Sequence, residues 1–333
     1  MRANPVAELA HPLPPGRPRA SAVAGFGQTV FDQDWWLDAA CPGAWDRARV
    51  DWDGCEVGAM AFHIRRRGAF TYLTMPPLTR SMSPVLLPPD RTGASHFIQR
   101  QAIVRELLDK LPKHDRFERT LEIGCPSVQG FTHAGLAVTH FFTLRSAPGD
   151  DVSALLRRAR PKTRRMVLRA QRECEVERNV DIERFIALHR IFHASKNYID
   201  HAVLWRIFEA AASRGQAEIV FVREGGVDAA ALVLVRDSQA TYCWMGARNR
   251  DVGDGSANRL AFIEAMRCAH MHGTVLDVDG YARPEVGLML MKLGFEPIHR
   301  PFVNGSSPLW LSYWTLRTFL RPHHRSTRHY AVP

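Results

Sequence analysis

The chain has 333 residues, and 46% of them are hydrophobic, which is enough for two globular domains with a core each. It has no apolar run of the roughly 18 residues that a membrane-spanning helix needs, so the sequence predicts no integral span. The net charge is +10, which favours an anionic partner such as a nucleotide, tRNA, a phospholipid surface or an acidic glycan.

Residues 1–28 are rich in Pro and Arg and lack the continuous apolar segment of a signal peptide. We therefore expect a flexible tail and a cytoplasmic protein. The six cysteines are scattered and include no C-x-x-C pair, which argues against a zinc site and a disulfide framework. Buried free thiols are the simpler interpretation.

Residues 29–145 are predicted to form a first α/β unit. Asp32 or Asp34 can cap the first predicted helix, and Pro112 ends the second. The predicted strands are apolar runs that Gly and Pro residues interrupt. The predicted elements are a helix at 31–40, a hairpin over 49–65 with Gly54 in its turn, a strand at 70–74, a helix at 95–111, and strands at 119–123 and 136–144.

Residues 146–305 are predicted to form a second unit. It opens with a linker at 146–150 and a basic helical stretch at 152–172, which Pro161 interrupts. The remaining elements are helices at 182–194 and 202–214, an antiparallel meander of strands at 218–223, 229–235 and 240–247, a helix at 256–272, a strand at 274–279, a helix at 284–293 and a strand at 295–303. Residues 306–333 form an apolar and aromatic segment followed by a basic tail.

The segment Arg250-Asp-Val-Gly253-Asp-Gly255-Ser256 lies between a predicted strand and a predicted helix. Two glycines at this spacing let backbone N–H groups turn toward one point, because no Cβ atom stands in the way. The N-terminal end of the helix adds partial positive charge, and Arg250 adds a charge-assisted contact. The segment therefore predicts an anion site suited to a pyrophosphate.

This segment resembles the donor loop of the GNAT acyltransferase superfamily, which reads [RQ]-x-x-G-x-[GA] between a strand and a helix. Arg250, Gly253 and Gly255 occupy the motif positions. The resemblance implies that the loop, together with Asp254 and Ser256, holds the pyrophosphate of acetyl-CoA or another acyl-CoA.

A narrower resemblance, to the FemAB-like branch that is also called the cellulose-biosynthesis acetyltransferase domain, covers residues 31–303. The segments that carry it are Trp35-Trp36-Leu37, Pro161-Lys-Thr-Arg-Arg165 with Arg169-Ala170, Asp277-x-Asp279-Gly280, and Lys292-x-x-Phe295. It implies an α/β (α+β) fold of tandem GNAT-like units, each a mixed and mostly antiparallel sheet flanked by helices. It also implies a role for Lys292 as a charge stabiliser in the active-site cleft.

The sequence departs from these families at two points. Many GNAT enzymes carry a tyrosine, as the acid toward the leaving thiolate, where this chain has Leu290; Tyr281 is a candidate to replace it. FemAB enzymes that use aminoacyl-tRNA carry a long helical arm, and no such coiled-coil insertion is evident here. The missing arm and the intact loop favour acyl-CoA over aminoacyl-tRNA as the donor.

Asp277 and Asp279 are two residues apart on a predicted strand, so their side chains share a face. A carboxylate in a partly apolar cleft can remove the proton of an attacking amine or hydroxyl, and Asp279 is the preferred candidate for this base. The alternative is structural: one carboxylate caps the next helix or pairs with Arg283.

Three further patterns have a functional and a structural interpretation. His189 and His193 have the spacing of metal ligands, but no third ligand is evident, so the sequence predicts no metal site. The basic segment 157–172 suits a polyanion or a solvated helix face. The aromatic and basic tail, with Trp310 and Trp314, suits a membrane surface or docking on the protein itself.

The sequence as a whole predicts an acyltransferase that moves an acyl group from acyl-CoA to an amine or hydroxyl by direct attack. In the GNAT resemblance, backbone N–H groups of the strand before the loop, with Met245 and Ala247, polarise the thioester carbonyl. The acceptor, expected between the two units, is a small molecule or a cell-envelope or polysaccharide precursor. The alternatives are an aminoacyl-tRNA-dependent FemAB-type transferase and a non-catalytic scaffold that binds a polyanion.

Overall fold

The computed structural model describes residues 29–87, 94–126, 128–192, 199–279 and 284–319. Within these ranges, residues 29–140 and 300–319 form one compact unit, and residues 141–299 form a second. The sequence predicts a division at 145 and 305. The contacts assign the end of the last strand and the aromatic segment after it to the first unit.

The helices are α1 (Asp34–Ala40), α2 (Ala94–Asp109), α3 (Val128–His133), α4 (Val152–Arg158), α5 (Pro161–Glu173), α6 (Ile182–Phe192), α7 (His201–Ala212), α8 (Ser256–Met271), α9 (Pro284–Leu293) and α10 (Pro308–Phe319). The strands are β1 (Trp45–Trp52), β2 (Cys55–Arg67), β3 (Phe70–Thr74), β4 (Val85–Leu86), β5 (Arg116–Thr120), β6 (Ala137–Arg145), β7 (Cys174–Asn179), β8 (Ala217–Glu224), β9 (Val227–Arg236), β10 (Ala240–Arg248), β11 (Val275–Asp277) and β12 (Glu296–Ser306).

The first unit has a mixed sheet in the order β1, β2, β3, β5, β12. Its strand pairs are antiparallel except for β3 with β5, and β4 adds a short antiparallel pair to β2. Asp53 and Gly54 make the β1–β2 turn, and both have a positive φ, as a tight hairpin turn requires. Helix α2 buries Ile103, Val104 and Leu107 in the core of this unit.

The second unit is built on the antiparallel strands β7, β8, β9 and β10, with β11 parallel to β10. The predicted meander of β8 to β10 is confirmed, and β7 extends it by one strand. Neighbouring residues on β8 face opposite ways: Val220 and Val222 pack in the core around α8, whereas Phe221 lies under the guanidinium of Arg184 on α6. Helices therefore cover both faces of this sheet, which explains its continuous apolar strands.

The predicted fold class is confirmed, since both units combine a mostly antiparallel sheet with flanking helices. All six cysteines are free thiols; Cys41, Cys125, Cys243 and Cys268 are buried. In the described residues, no helix has the length and apolar character needed to cross a membrane.

Candidate active site

The two parallel strands at the centre of the second unit separate after three residue pairs. Their last pair is Tyr242 with Asp277. Beyond it, β10 continues to Arg248 paired only with β9, while the backbone N–H of Val278 donates to Leu144 of β6 at 2.9 Å. An opening therefore lies between β10 and the chain after β11, and alternate backbone groups of β10 point away from β9 into it.

A β-bulge interrupts β10 at this opening. Cys243 pairs with Leu234 and Met245 pairs with Val233, so Trp244 is the extra residue on β10. A bulge changes the direction in which the following backbone groups point, and such bulges are common beside active sites. Met245 is half-buried and Ala247 is buried, and both follow the bulge along the opening.

The loop after β10 turns through two glycines in the left-handed conformation. Gly253 has φ +58° and Gly255 has φ +86°, where other residues are strained. A Cβ atom on Gly253 would meet the carboxylate of Glu224, and one on Gly255 would lie 2.8 Å from the Arg248 guanidinium. Gly255 is the N-cap of α8 and supplies no side-chain cap, so N–H groups in the first turn of the helix remain for other acceptors.

Helix α5 braces this loop through Arg169. Its Nη2 lies 2.5 Å from Asp254 Oδ2 and 3.4 Å from Ser256 Oγ, and the Ser256 N–H donates to Asp254 Oδ1 at 3.0 Å. The side-chain hydrogen bond with Ser256, followed by that with Arg169, lowers the pKa of Asp254 from 3.8 to about 2, and the Ser256 N–H adds a smaller effect in the same direction. Asp254 is therefore a carboxylate at any physiological pH, and it fixes the start of α8.

Two further arginines face the same loop. The guanidinium of Arg248 lies against Gly255 and has neither an ion pair nor a side-chain hydrogen bond with any residue in the described ranges. Arg259 Nη1 donates to the Gly255 carbonyl at 2.8 Å. Burial lowers the pKa of Arg259, and the neighbouring Arg248 lowers it further, whereas Asp254 opposes the change. Positive charge is thus concentrated where the loop meets the helix N-terminus, which suits an anion.

The end of β11 holds two aspartates in different surroundings. Asp277 is fully buried; it accepts from Thr143 Oγ1 at 2.6 Å and from Arg145 Nε at 2.9 Å. Asp279 is half-buried, has φ +50°, and donates its N–H to Asp277 Oδ1 at 3.2 Å. Asp279 and Trp244 each lie two residues beyond the last β10–β11 pair, so Asp279 stands at the mouth of the opening.

A protein-family model matches the part of the chain that contains this site. The model of the acetyltransferase (GNAT) domain family matches residues 153–280, which include the opening, the bulge and the glycine loop. This part of the chain is therefore similar to a GNAT domain. No match is found among curated protein sequences.

Two solved structures are similar to the chain as a whole. FemX has 15% sequence identity and a TM-score of 0.64 over 87% of this chain and 95% of its own. The C-terminal domain of a putative lysylphosphatidylglycerol synthetase from Agrobacterium fabrum has 10% identity and a TM-score of 0.53, over 88% and 93% of the two chains. At these identities the similarity shows the fold alone. The chain therefore shares the fold of these two structures.

Residues 153–280 bring most of the predicted donor residues together. Gly253, Asp254, Gly255 and Ser256 form the turn that opens α8. Arg250 is exposed, and its guanidinium lies 5.4 Å from the centre of the Phe192 ring, at the end of α6. Arg250 thus belongs to the loop, although the described contacts of its side chain are with α6.

Lys292 lies on α9 and does not contact the loop. Its carbonyl accepts from the Arg160 N–H at 2.9 Å, at the start of α5, whereas Arg169 meets the loop about 13 Å further along the same helix. In the described part of the chain, no hydrogen bond or ion pair engages the Lys292 ammonium. Tyr281 and Arg283 lie outside the described residues, and Leu290, at the position of the GNAT tyrosine, is fully buried.

The sequence offered a helix cap or a pair with Arg283 as structural roles for these aspartates. Asp277 has a structural role of another kind, because its carboxylate pairs with Arg145. His189 Nδ1 lies 3.1 Å from His201 Nε2, and His193 lies outside the described residues. In the described residues, no group of three or more His, Cys, Asp or Glu is arranged to hold a metal ion.

Sequence reasoning missed Arg248, Arg259 and Glu224. Arg248 ends the strand two residues before Arg250, and Arg259 follows Gly255 by one helical turn. The i to i+4 spacing of Gly255 and Arg259 is a signal that could have been read from the sequence. The approach of Arg248 to Gly255 depends on the turn of the loop, and Glu224 reaches Gly253 from a different hairpin.

Proposed function

We propose that this protein transfers an acyl group from acyl-CoA to an amine or hydroxyl acceptor by direct attack, without a covalent intermediate on the enzyme. The observation that carries this proposal is the opening between β10 and β11, which leads to a glycine loop. The Arg248 guanidinium lies against Gly255 in this loop and has no ion pair among the residues that the structure describes. Acyl-CoA fits this arrangement, because its extended thioester arm could lie along the open edge of β10 while its pyrophosphate lies at the N-terminus of α8.

The pyrophosphate of the donor would lie on the loop. Backbone N–H groups around Gly253, Gly255 and Ser256 would donate to its oxygens, supported by the positive end of α8. Arg248 would supply the charge-assisted contact, and Arg250 a second one after leaving the Phe192 ring. The Arg169–Asp254 ion pair holds the loop in this shape before the donor binds, which reduces the entropy lost on binding.

The thioester would lie along β10. Backbone N–H groups near Met245 and Ala247, which the bulge redirects into the opening, would donate to the carbonyl oxygen as negative charge develops on it. Holding donor and acceptor together supplies much of the rate, since the reaction then needs no further loss of translational freedom.

Asp279 would remove the proton of the attacking amine or hydroxyl. Its position two residues beyond the last β10–β11 pair supports this role. Lys292 would stabilise charge on the donor or acceptor, and Tyr281 remains a candidate for the acid that protonates the leaving thiolate. The acceptor is a small molecule or a cell-envelope or polysaccharide precursor.

A second candidate function is transfer from aminoacyl-tRNA. The FemAB-like fold and the net charge of +10 favour it. The loop with two left-handed glycines and Arg248 favours acyl-CoA, because tRNA recognition needs no pyrophosphate site at this position. Acyl-CoA is therefore the donor that the site supports best.

Native mass spectrometry of the full chain, incubated with acetyl-CoA or with mixed aminoacyl-tRNA, tests the choice of donor. We expect a one-to-one complex with acetyl-CoA. Arg248→Gln should weaken that complex about tenfold or more, since a hydrogen bond to a charged group contributes about 1.5–3 kcal/mol. Arg214→Gln is the matched control, because Arg214 is an exposed arginine of the same unit that bonds the Ala210 carbonyl. A complex with aminoacyl-tRNA alone, or equal acetyl-CoA binding by Arg248→Gln and wild type, would contradict the proposal.

A further inference from the structure

Helix α10 is fastened to the first unit by one of its sides. Trp310 is buried; its Nε1 donates to the Tyr72 hydroxyl at 3.2 Å, and the Arg116 guanidinium lies 4.3 Å from the centre of its ring. Trp314 stacks on Trp310 with 5.4 Å between ring centres, and the Tyr313 ring lies 4.9 Å from that of Phe70. These aromatic contacts fix the orientation of the helix.

The remaining sides of α10 carry large apolar residues in solvent. The exposed fraction is 67% for Leu309, 51% for Leu311 and 59% for Leu316, and Trp314 keeps 48% of its surface exposed although it stacks on Trp310. Leu309 and Leu316 are seven residues apart and share one side of the helix. Leu311 lies about 200° around the helix from Leu309, so Leu309 and Leu316 form the exposed apolar patch. Large apolar side chains grouped in solvent in this way mark an interaction site.

Arginines surround this apolar surface. Arg65, Arg66 and Arg67 are exposed at the end of β2, and Arg67 pairs across the hairpin with Phe70, the residue that contacts Tyr313. In this arginine triplet, Arg65 and Arg67 pair with Tyr72 and Phe70 and so lie on the face of the sheet that α10 contacts, whereas Arg66 lies on the opposite face. Arg317 lies on the helix itself, 5.9 Å from the Trp314 ring centre.

Among the described residues, acids close to α10 already have partners: Glu118 pairs with Arg116, whose guanidinium lies on the Trp310 ring. The chain has no Asp or Glu after Glu296, and Arg321, Arg325 and Arg328 follow the helix in the sequence. Asp115, the acid beside the helix start, accepts hydrogen bonds from Ser307 Oγ and from the Thr71 N–H. The surface of α10 is thus apolar at its centre and basic at its edges.

We propose that α10 and the arginine triplet bind the protein to the surface of an anionic lipid membrane. Leucine side chains would enter the boundary between headgroups and acyl chains, and the arginines would contact anionic headgroups. Nucleic acid fits less well, because the exposed leucines would gain nothing from a phosphate backbone. A second copy of the chain also fits less well, because a symmetric contact through α10 would bring two arginine triplets together.

The proposal is tested by sedimenting the full chain with vesicles. One set is made of phosphatidylcholine alone and the other contains one third phosphatidylglycerol. We expect binding to the anionic vesicles, little binding to the neutral ones, and release at high salt. The double variant Arg65→Gln, Arg67→Gln should lose about fivefold in partition per arginine, and Arg66→Gln should lose less because its side chain lies on the opposite face.

The leucines are tested with the double variant Leu309→Gln, Leu316→Gln, which should bind the anionic vesicles at least about tenfold more weakly. The matched control is Val180→Gln, Val227→Gln, which removes two similarly exposed apolar side chains from the second unit and should bind like wild type. Melting temperatures of all variants confirm folding.

Three results would overturn the proposal: equal binding to both vesicle types, undiminished binding by the leucine variant, or a dimer that the leucine variant abolishes without any vesicle binding. Because no acyl-CoA enters this assay, its result is independent of the proposed transferase activity.

Discussion

Asp277 ends β11 and Asp279 lies two residues after it. Their different surroundings indicate different roles. Asp277 has no exposed surface, and Thr143, Arg145 and the Asp279 N–H occupy its carboxylate. Its removal would break an ion pair with the Arg145 guanidinium, which is itself largely buried. Asp279 is half-buried at the mouth of the opening, where a substrate could reach it.

Two substitutions separate these roles. Asp277→Ala should destabilise the protein by about 3–5 kcal/mol, because it breaks a buried ion pair by removing one partner. Asp279→Asn should fold normally, since Asn tolerates a positive φ, and should slow transfer about 10²-fold or more through loss of the base. Denaturant unfolding measures the first effect. Release of the CoA thiol from acetyl-CoA, against a panel of amines and alcohols, measures the second. Full turnover by Asp279→Asn would exclude its role as the base.

At the scale of the element, the 3₁₀ turn at Val30–Asp32 carries a buried carboxyl group into the first unit. Asp32 accepts from Thr29 Oγ1 at 3.0 Å and is 2% exposed. Burial raises the pKa of Asp32 from 3.8 to about 7, although the Thr29 hydrogen bond and the charge of Arg119 act against this rise. The folded protein therefore holds a proton on Asp32 that the unfolded chain releases near pH 4.

This raised pKa makes stability depend on pH in a defined direction. The protonated form is favoured in the folded state, so the contribution of Asp32 is greatest below pH 4 and declines as pH rises through about 7. The free energy of unfolding of wild type minus that of Asp32→Asn should therefore fall by a few kcal/mol over that window. Chemical denaturation at several pH values measures this difference. A difference that rises with pH would mean that attraction to Arg119 outweighs the burial of Asp32.

The elements with clear local signals could be predicted from the sequence. Gly225-Gly226 and Asp237-Ser238 mark the turns of the β8–β10 meander, and the glycine loop marks the start of α8. Strand β7 was missed, because on this edge strand only Cys174 and Val176 are apolar and most side chains are exposed. The aromatic segment was recognised as apolar, but its helix α10 becomes evident only from the contacts of Trp310.

The residues of the candidate site also divide into those that local sequence features predict and those that depend on the three-dimensional structure. Gly253, Gly255 and Asp279 could be found because a turn, a helix start and a strand end are local features. Arg248 could not, since its importance comes from a close approach to Gly255 that the loop creates. The family resemblance predicts a role for Lys292 in the active-site cleft. In the described residues, no hydrogen bond or ion pair joins Lys292 to the loop.

At the scale of the whole molecule, two surfaces with different chemistry lie in different units. The loop, the opening and Asp279 belong to the second unit, whereas α10 and the arginine triplet belong to the first. If both proposals hold, the protein is an acyl-CoA-dependent transferase that works at an anionic membrane surface. Its acceptor would then be presented at that surface.

The central claim is that the loop at the start of α8 holds the pyrophosphate of acyl-CoA. Calorimetric titration of the full chain with acetyl-CoA tests it directly when wild type is compared with Gly255→Ala and Gly226→Ala. Both glycines have a positive φ, so alanine costs about 1–2 kcal/mol of backbone strain at either position. Only Gly255 has the Arg248 guanidinium against it, whereas open space surrounds Gly226. The predicted result is one-site binding by wild type and Gly226→Ala, and binding at least about tenfold weaker by Gly255→Ala. Absence of acetyl-CoA binding by wild type, or equal affinity in all three proteins, would contradict the claim.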